Sequence, residues 1–251
     1  MRTKKYFFII VLVLFILVIP GCLNSTNDLN AEVKYKDKSP VDTDQDNIGK
    51  DDENNPRSTD PELIGYFLET ALGSEFGSTQ QVVHKWRGDI DIRVNGSPTG
   101  QDKKTLSEVI SELNYLIDEA SLNIVNIDPD IEMYFTTAEE FASIEPNYIP
   151  PNRGFFWMYM DREGYIYKGR IFISTQGVTQ KERSHLIREE LTQSLGIMND
   201  SYLYKDSIFY QEWTDTTQYA LIDKAVIGLL YDPRLKVGMT AEDVLDAIEK
   251  Y

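Results

Sequence analysis

SHLIREELTQSLGIMND, residues 184–200, is the stretch on which the reading of this chain turns. At about 100° per residue, Ile187, Leu191 and Leu195 fall on one side of a helix. Glu189, Glu190 and Gln193 fall on the other, with Leu186 among them, and His185 precedes Glu189 by one turn. One face is built to pack and the opposite face to present carboxylate and amide groups. Thr179 with Glu182 three residues on is a capping box, so the helix is predicted over 179–195, with Gly196 stopping it. Glu189 and Glu190 are adjacent and diverge, which excludes the facing carboxylate pair of a glycosidase.

Working outward from this helix, short runs rich in β-branched and aromatic residues predict strands at 131–135 (IEMYF), 155–160 (FFWMYM) and 169–174 (GRIFIS). Further upstream, 82–94 alternates apolar and polar residues as a half-buried strand, and 95–100 (NGSPTG) is a turn. Apolar residues from Leu106 to Ile117 recur at helical spacing, predicting a long helix over 105–120. A short amphipathic helix is predicted over 61–76, and others over 217–230 and 241–249, the last capped by Thr240. The aromatic run 155–167 reads either as a ligand platform or as a hairpin with its core face. The whole is α+β, one domain over 61–251, long enough to bury a proper core.

The N-terminus differs in kind. Arg2, Lys4 and Lys5 precede an unbroken apolar run over 6–19, the pattern of a secretory signal and short for a membrane span. The run ends in Ile19-Pro20-Gly21-Cys22, which resembles a lipobox, in which the cysteine is acylated and becomes the new N-terminus. Cys22 is the only cysteine, so no internal disulfide can form. Residues 1–21 are expected to be a lipoprotein signal peptide. Residues 22–60 are polar and acidic, and are expected to be a disordered tether. Without the signal, 22 basic residues stand against 41 acidic ones. Such a chain is repelled by nucleic acid and by anionic head groups, so attachment rests on the acyl chains rather than on a basic patch.

The run Glu189-Glu190-x-x-Gln193-x-x-Gly196-x-x-Asn199-Asp200 resembles the metzincin zinc signature H-E-x-x-H-x-x-G-x-x-H/D. Its surroundings are similar too. The 169–174 strand looks like the edge strand before the metzincin active-site helix. Residues 207–210 look like the turn under the metal, with Phe209 where those enzymes keep methionine. The 217–231 segment resembles the closing helix of matrixin-type domains, and the 86–94 strand and 105–120 helix fit the opening of that fold. The chain is closer still to a bacterial family of unknown function, grouped with zincin-like peptidases, that carries E-E-x-x-Q-x-L-G-x-x-N-D. The resemblance implies a metzincin-like fold with a twisted mixed sheet and C-terminal helices.

At the three ligand positions this implies Glu189, Gln193 and Asn199, one carboxylate and two weak amide donors where a catalytic zinc takes imidazoles. Glu190 matches the general base, which without a metal-activated water has nothing to deprotonate. Two rescues stand open. Glu189, Gln193, Asn199 and Asp200 supply oxygen to a hard cation such as calcium. His185 and Glu189 supply half of a shifted zinc site, or else form an ordinary i,i+4 ion pair. His84 is the only other histidine, and reads as a packed strand residue. The cofactor is therefore none or one divalent metal ion.

The expectation is a lipoprotein on the outer face of a membrane, held through lipid on Cys22. Its degenerate metzincin-like domain binds a peptide or protein partner and no nucleic acid. The alternatives are a metal-dependent peptidase with oxygen ligands and Glu190 as base, or a structural lipoprotein whose Glu189/Gln193 stripe is a solvated face.

Overall fold

The computed structural model describes residues 59–73 and 81–249. The chain divides into two units, Met1–Ile48 and Gly49–Tyr251, and every described residue belongs to the second. The expected signal peptide, Cys22 and the tether up to residue 58 lie outside the described residues.

Helix α1 (Pro61–Leu72) begins where Asp60 accepts the Glu62 N–H and Pro61 supplies a pre-set φ. The run read as one strand over 82–94 is two, β1 (Lys85–Trp86) and β2 (Ile90–Gly96). They are separated at Gly88, whose φ of +134° no strand residue adopts. Helix α2 (Gly100–Leu116) starts five residues earlier than its periodicity predicts. Thr99 and Asp102 form a reciprocal capping box inside the run read as a turn, at 2.7 and 3.0 Å.

The central elements follow as β3 (Leu122–Ile124), β4 (Ile131–Thr136), α3 (Ala138–Ile144), β5 (Gly154–Met160) and β6 (Tyr165–Ser174). Helix α4 (Gln180–Gln193) then carries the Thr179–Glu182 capping box that its sequence predicts. Helices α5 (Leu221–Leu230) and α6 (Ala241–Glu249) end the described chain, α6 capped by Thr240. Helix α5 starts four residues later than expected, because the Asp223 carboxylate accepts the Ala220 N–H and fixes the start there.

Six strands make one mixed sheet in the order β1-β6-β4-β2-β3, all parallel, with β5 antiparallel on β6. Strand β6 is therefore interior, and the expectation that 169–174 is an edge strand is corrected. Beside β6 the outer strand is β5, and no other described strand pairs with it. Alternation along β6 sends Ile171 and Ile173 to one face and Phe172 to the other. The first face packs against α2 and α4 in the main core. On the second, Phe141 of α3 and Tyr148 close over Phe155 and Phe172 as a small aromatic cluster.

Candidate functional site

Helix α4 lies against β5, β6 and α2, and is covered nearly all round. Ile187, Leu191 and Leu195 are wholly buried, each worth about 1.5–3 kcal/mol relative to exposure. The face expected to present polar groups is buried too: His185 is 2% exposed, Gln193 3% and Glu190 6%. Only Glu189 keeps a part-exposed carboxylate, at 15%. The open polar stripe of a solvated helix is thus absent. What replaces it is a set of side chains with defined partners.

His185 is held at both ring nitrogens. Its Nδ1 lies 2.8 Å from the Thr216 carbonyl oxygen, which can only accept, so Nδ1 carries a proton. Its Nε2 lies 3.2 Å from Glu189 Oε2, a second group that favours an N–H there. Burial works to lower the His185 pKa; the Glu189 carboxylate and the Thr216 carbonyl outweigh it and raise the pKa above its ordinary value. The i,i+4 pair read from sequence is formed, an ion pair when His185 is protonated, and the Nδ1 bond to Thr216 ties the loop before α5 onto α4.

Glu190 turns toward the edge strand. A Cβ on Gly154, the first residue of β5, would stand 2.1 Å from Glu190 Oε1 and 2.8 Å from Leu186 Cδ2. Leu186, out of place on the helical wheel among polar residues, is explained by the same contact. Both side chains reach the strand backbone only because residue 154 has no side chain.

After α4 the chain reverses at Gly196, whose φ is +122°. A Cβ there would stand 2.2 Å from the His84 carbonyl oxygen. The glycine of the motif thus has two physical reasons, conformation and close approach. The reversal carries Asn199 to the C-terminal end of α1. Its main-chain N–H donates to the Thr70 carbonyl (3.0 Å) and its Nδ2 to the Glu69 carbonyl (3.1 Å), satisfying carbonyls that the helix leaves open. Gln193 Nε2 donates to Asp200 Oδ1 at 2.6 Å.

The three positions aligned with zinc ligands are therefore committed in three directions: Glu189 to His185, Gln193 to Asp200, and Asn199 to α1. Among the described residues no group of three His, Cys, Asp or Glu side chains is placed to hold a metal ion. This donor set does not fit a catalytic zinc, and it offers no carboxylate-rich cage to a hard cation either.

Phe209 is fully buried in the core, in a turn bridged between Ser201 and Tyr210. Asp223 holds that turn in place. Its carboxylate accepts from Ser207 Oγ (2.6 Å), the Ile208 N–H (3.0 Å) and the Ala220 N–H (2.9 Å). Burial pushes the Asp223 carboxyl up to about 6 against these three donors, which favour its ionised form. In sequence Asp223 is the acidic residue before the apolar stretch on which the 217–231 resemblance rests, but its role in capping α5 and holding this turn was not read there, although it stands three residues into the helix.

The polar seam between α2 and α4 was also missed. Arg183 Nε meets the buried Asp102 at 2.9 Å, and Arg188 grips Glu112 through two bonds of 2.8 and 2.9 Å. Arg188 also lies over the Tyr219 ring, whose hydroxyl is 2.6 Å from Thr192 Oγ1. Two arginines on the sides of a helix with few exposed positions were the only sequence sign of it.

Fold and site together define an α+β domain with a mostly parallel sheet, one antiparallel edge strand, and a buried polar helix beneath that edge. The chain belongs to the family described as "Protein of unknown function (DUF2927)", which matches residues 60–250. Two solved structures of myroilysin are similar in the course of the chain. One is 12% identical with a TM-score of 0.39, covering 59% of this chain and 82% of that one. The other is 13% identical with a TM-score of 0.40, covering 68% of this chain and 96% of that one. No curated protein matches the chain in sequence.

Proposed function

We propose that this is a lipoprotein acylated at Cys22 on the outer face of a membrane, whose degenerate metzincin-like domain holds an extended peptide segment along β5. The observation that carries the reading is the edge itself. Among the described strands β5 is the one antiparallel strand, and Phe156, Trp157 and Tyr159 along it are only half-buried. An extended peptide adds to such an edge through main-chain hydrogen bonds, with side-chain pockets giving selectivity. The metzincin kinship is supported by the order of elements: opening strand, long helix, strands, buried helix, glycine reversal, buried turn and closing helix. The loss of chemistry is supported by the three ligand positions, each already tied within the chain.

A second reading, a hydrolase with Glu190 as base, has one observation in its favour: the Glu190 carboxylate lies directly beside the start of the edge strand. One experiment separates the two. The full chain in detergent is challenged with a library of extended peptides, and the bound fraction is recovered and weighed by mass spectrometry. The binding reading predicts intact peptides, retention in the presence of chelator, and about tenfold weaker affinity in Trp157→Ala. Chelator-sensitive cleavage lost in Glu190→Ala but kept in Glu182→Ala would establish the hydrolase instead. Retention of no peptide at all would leave neither standing.

A further inference from the structure

We propose that the loop carrying Tyr202, Leu203 and Trp213 seats on the phospholipid surface to which Cys22 tethers the chain, with its rings at the level of the head groups. The three side chains are 67%, 62% and 56% exposed. They belong to one local unit. Ser201 and Tyr210 bridge in parallel, the Gln211 N–H donates to the Ser201 carbonyl at 2.9 Å, and the Tyr202 ring stands edge-on to Tyr210. The two stretches leave the bridge in the same direction, one to Leu203 and the other to Trp213. The base beneath them is fixed. Ile208 and Phe209 are wholly buried, and Ser207 Oγ is bonded to both Asp223 (2.6 Å) and the Tyr66 hydroxyl (2.7 Å).

What covers this loop follows from where the chain enters the domain. The described chain begins at Thr59, and α1 opens at Pro61 against the same loop. Tyr204, next to Leu203, packs edge-on against Tyr66 of α1, with ring centroids 4.8 Å apart. Burial, and then the carboxylates of Glu62 and Asp60, raise the Tyr204 hydroxyl pKa, so the first turn of α1 lies beside it. The exposed rings and the entry point of the tethered chain therefore share one end of the domain. Residues 23–59 lead from Cys22 to this point and span at most about 130 Å. A domain confined in this way meets the surface at a high effective concentration, where a weak contact is enough to orient it.

The residue types select lipid as the occupant. Tryptophan and tyrosine join an apolar ring to a polar edge and concentrate where hydrocarbon meets water. Charge adds no attraction, since exposed Lys205 stands against exposed Asp206, Glu212 and Asp215. The contact is therefore apolar partition into an uncharged phospholipid surface. It rests on the acylation of Cys22 proposed above, and not on a peptide at β5.

The test reconstitutes the full chain, purified from membranes, into phosphatidylcholine vesicles. Phosphatidylcholine brominated on its acyl chains serves as a quencher of tryptophan fluorescence. Of the three tryptophans Trp86 is buried in the core. The expected result is a loss of about a third of the emission, absent in Trp213→Phe. Tyr202→Ser combined with Leu203→Ser reduces that loss about twofold or more. Tyr115→Ser, at an exposed aromatic on α2, leaves it unchanged. All four positions are exposed, so unchanged thermal unfolding checks that each variant folds. Emission that survives the brominated lipid, or quenching that persists in Trp213→Phe, overturns the inference, leaves the anchor standing, and turns the loop toward solvent or a protein partner. Mass spectrometry of residue 22 reads the anchor separately: a Cys22 without acyl chains overturns the anchor and the inference together.

Discussion

Gly196→Ala is the substitution that weighs most on the geometry described above. The added methyl would stand 2.2 Å from the His84 carbonyl oxygen, on a backbone whose φ is +122°. Holding an alanine in so sparsely populated a conformation costs about 1–3 kcal/mol. Forcing a carbon into a filled site adds about 1–3 kcal/mol more. The carbonyl has little room to retreat, because His84 Nδ1 is bonded to Gly164 at 2.8 Å and Trp86 Nε1 to the Ser194 carbonyl at 2.9 Å. A loss of about 4 kcal/mol corresponds to a Tm lowered by about 8–16 °C in a domain of this size. Gly65→Ala makes the internal control. It is the same chemical change in the middle of α1, with nothing within 4 Å of the new methyl, and it stabilises by about 0.5–1 kcal/mol. Thermal unfolding followed by circular dichroism reads both. A Gly196→Ala variant melting within a degree of the parent would refute the reasoning.

Other consequences follow from the same contacts. The His185–Glu189 pair has a raised histidine pKa, so its stabilisation is fully present below the ordinary pKa of 6.5 and is lost as pH rises through the higher folded value. In denaturant titrations, the parent is therefore more stable than His185→Gln in acid, and the gap closes toward alkaline pH; a gap that widens with pH contradicts the assignment. Asn199→Ala removes a helix-capping donor and costs about 1 kcal/mol. Asn199→Asp sets a carboxylate against the Glu69 carbonyl and destabilises further even when zinc or calcium is supplied; metal-dependent stabilisation of this variant would return residue 199 to the role of ligand. Asp223→Ala leaves three donors without their acceptor and lowers unfolding free energy by about 3 kcal/mol or more, measured by urea titration.

The sequence was legible where a single element carries its own signal. Helix α4 announces its start through Thr179 and Glu182 and its stop through Gly196, and strands β4 and β5 through aromatic and β-branched runs. It was illegible where a boundary depends on something distant. The break between β1 and β2 is a glycine conformation, and β3 and α3 are too short to show a period. The interior position of β6 depends on pairing with β4, 38 residues away (Ile131 with Gly169), which no local pattern encodes. At the site, the wheel separated apolar from polar residues correctly but took polar to mean open. Burial of the polar face comes from Thr216, Gly154 and α1, all remote in sequence. Asn199 is the clearest case: its motif position suggests a ligand, while its actual neighbours make it a cap for a helix more than a hundred residues upstream.

Amide hydrogen exchange on the full chain, with and without a bound extended peptide, tests the proposed function most directly. The account predicts that the peptide slows exchange in β5, at the amides that point away from β6, and leaves α2 and β3 unchanged. Protection confined to any other part of the domain, or a peptide recovered in pieces, would contradict it.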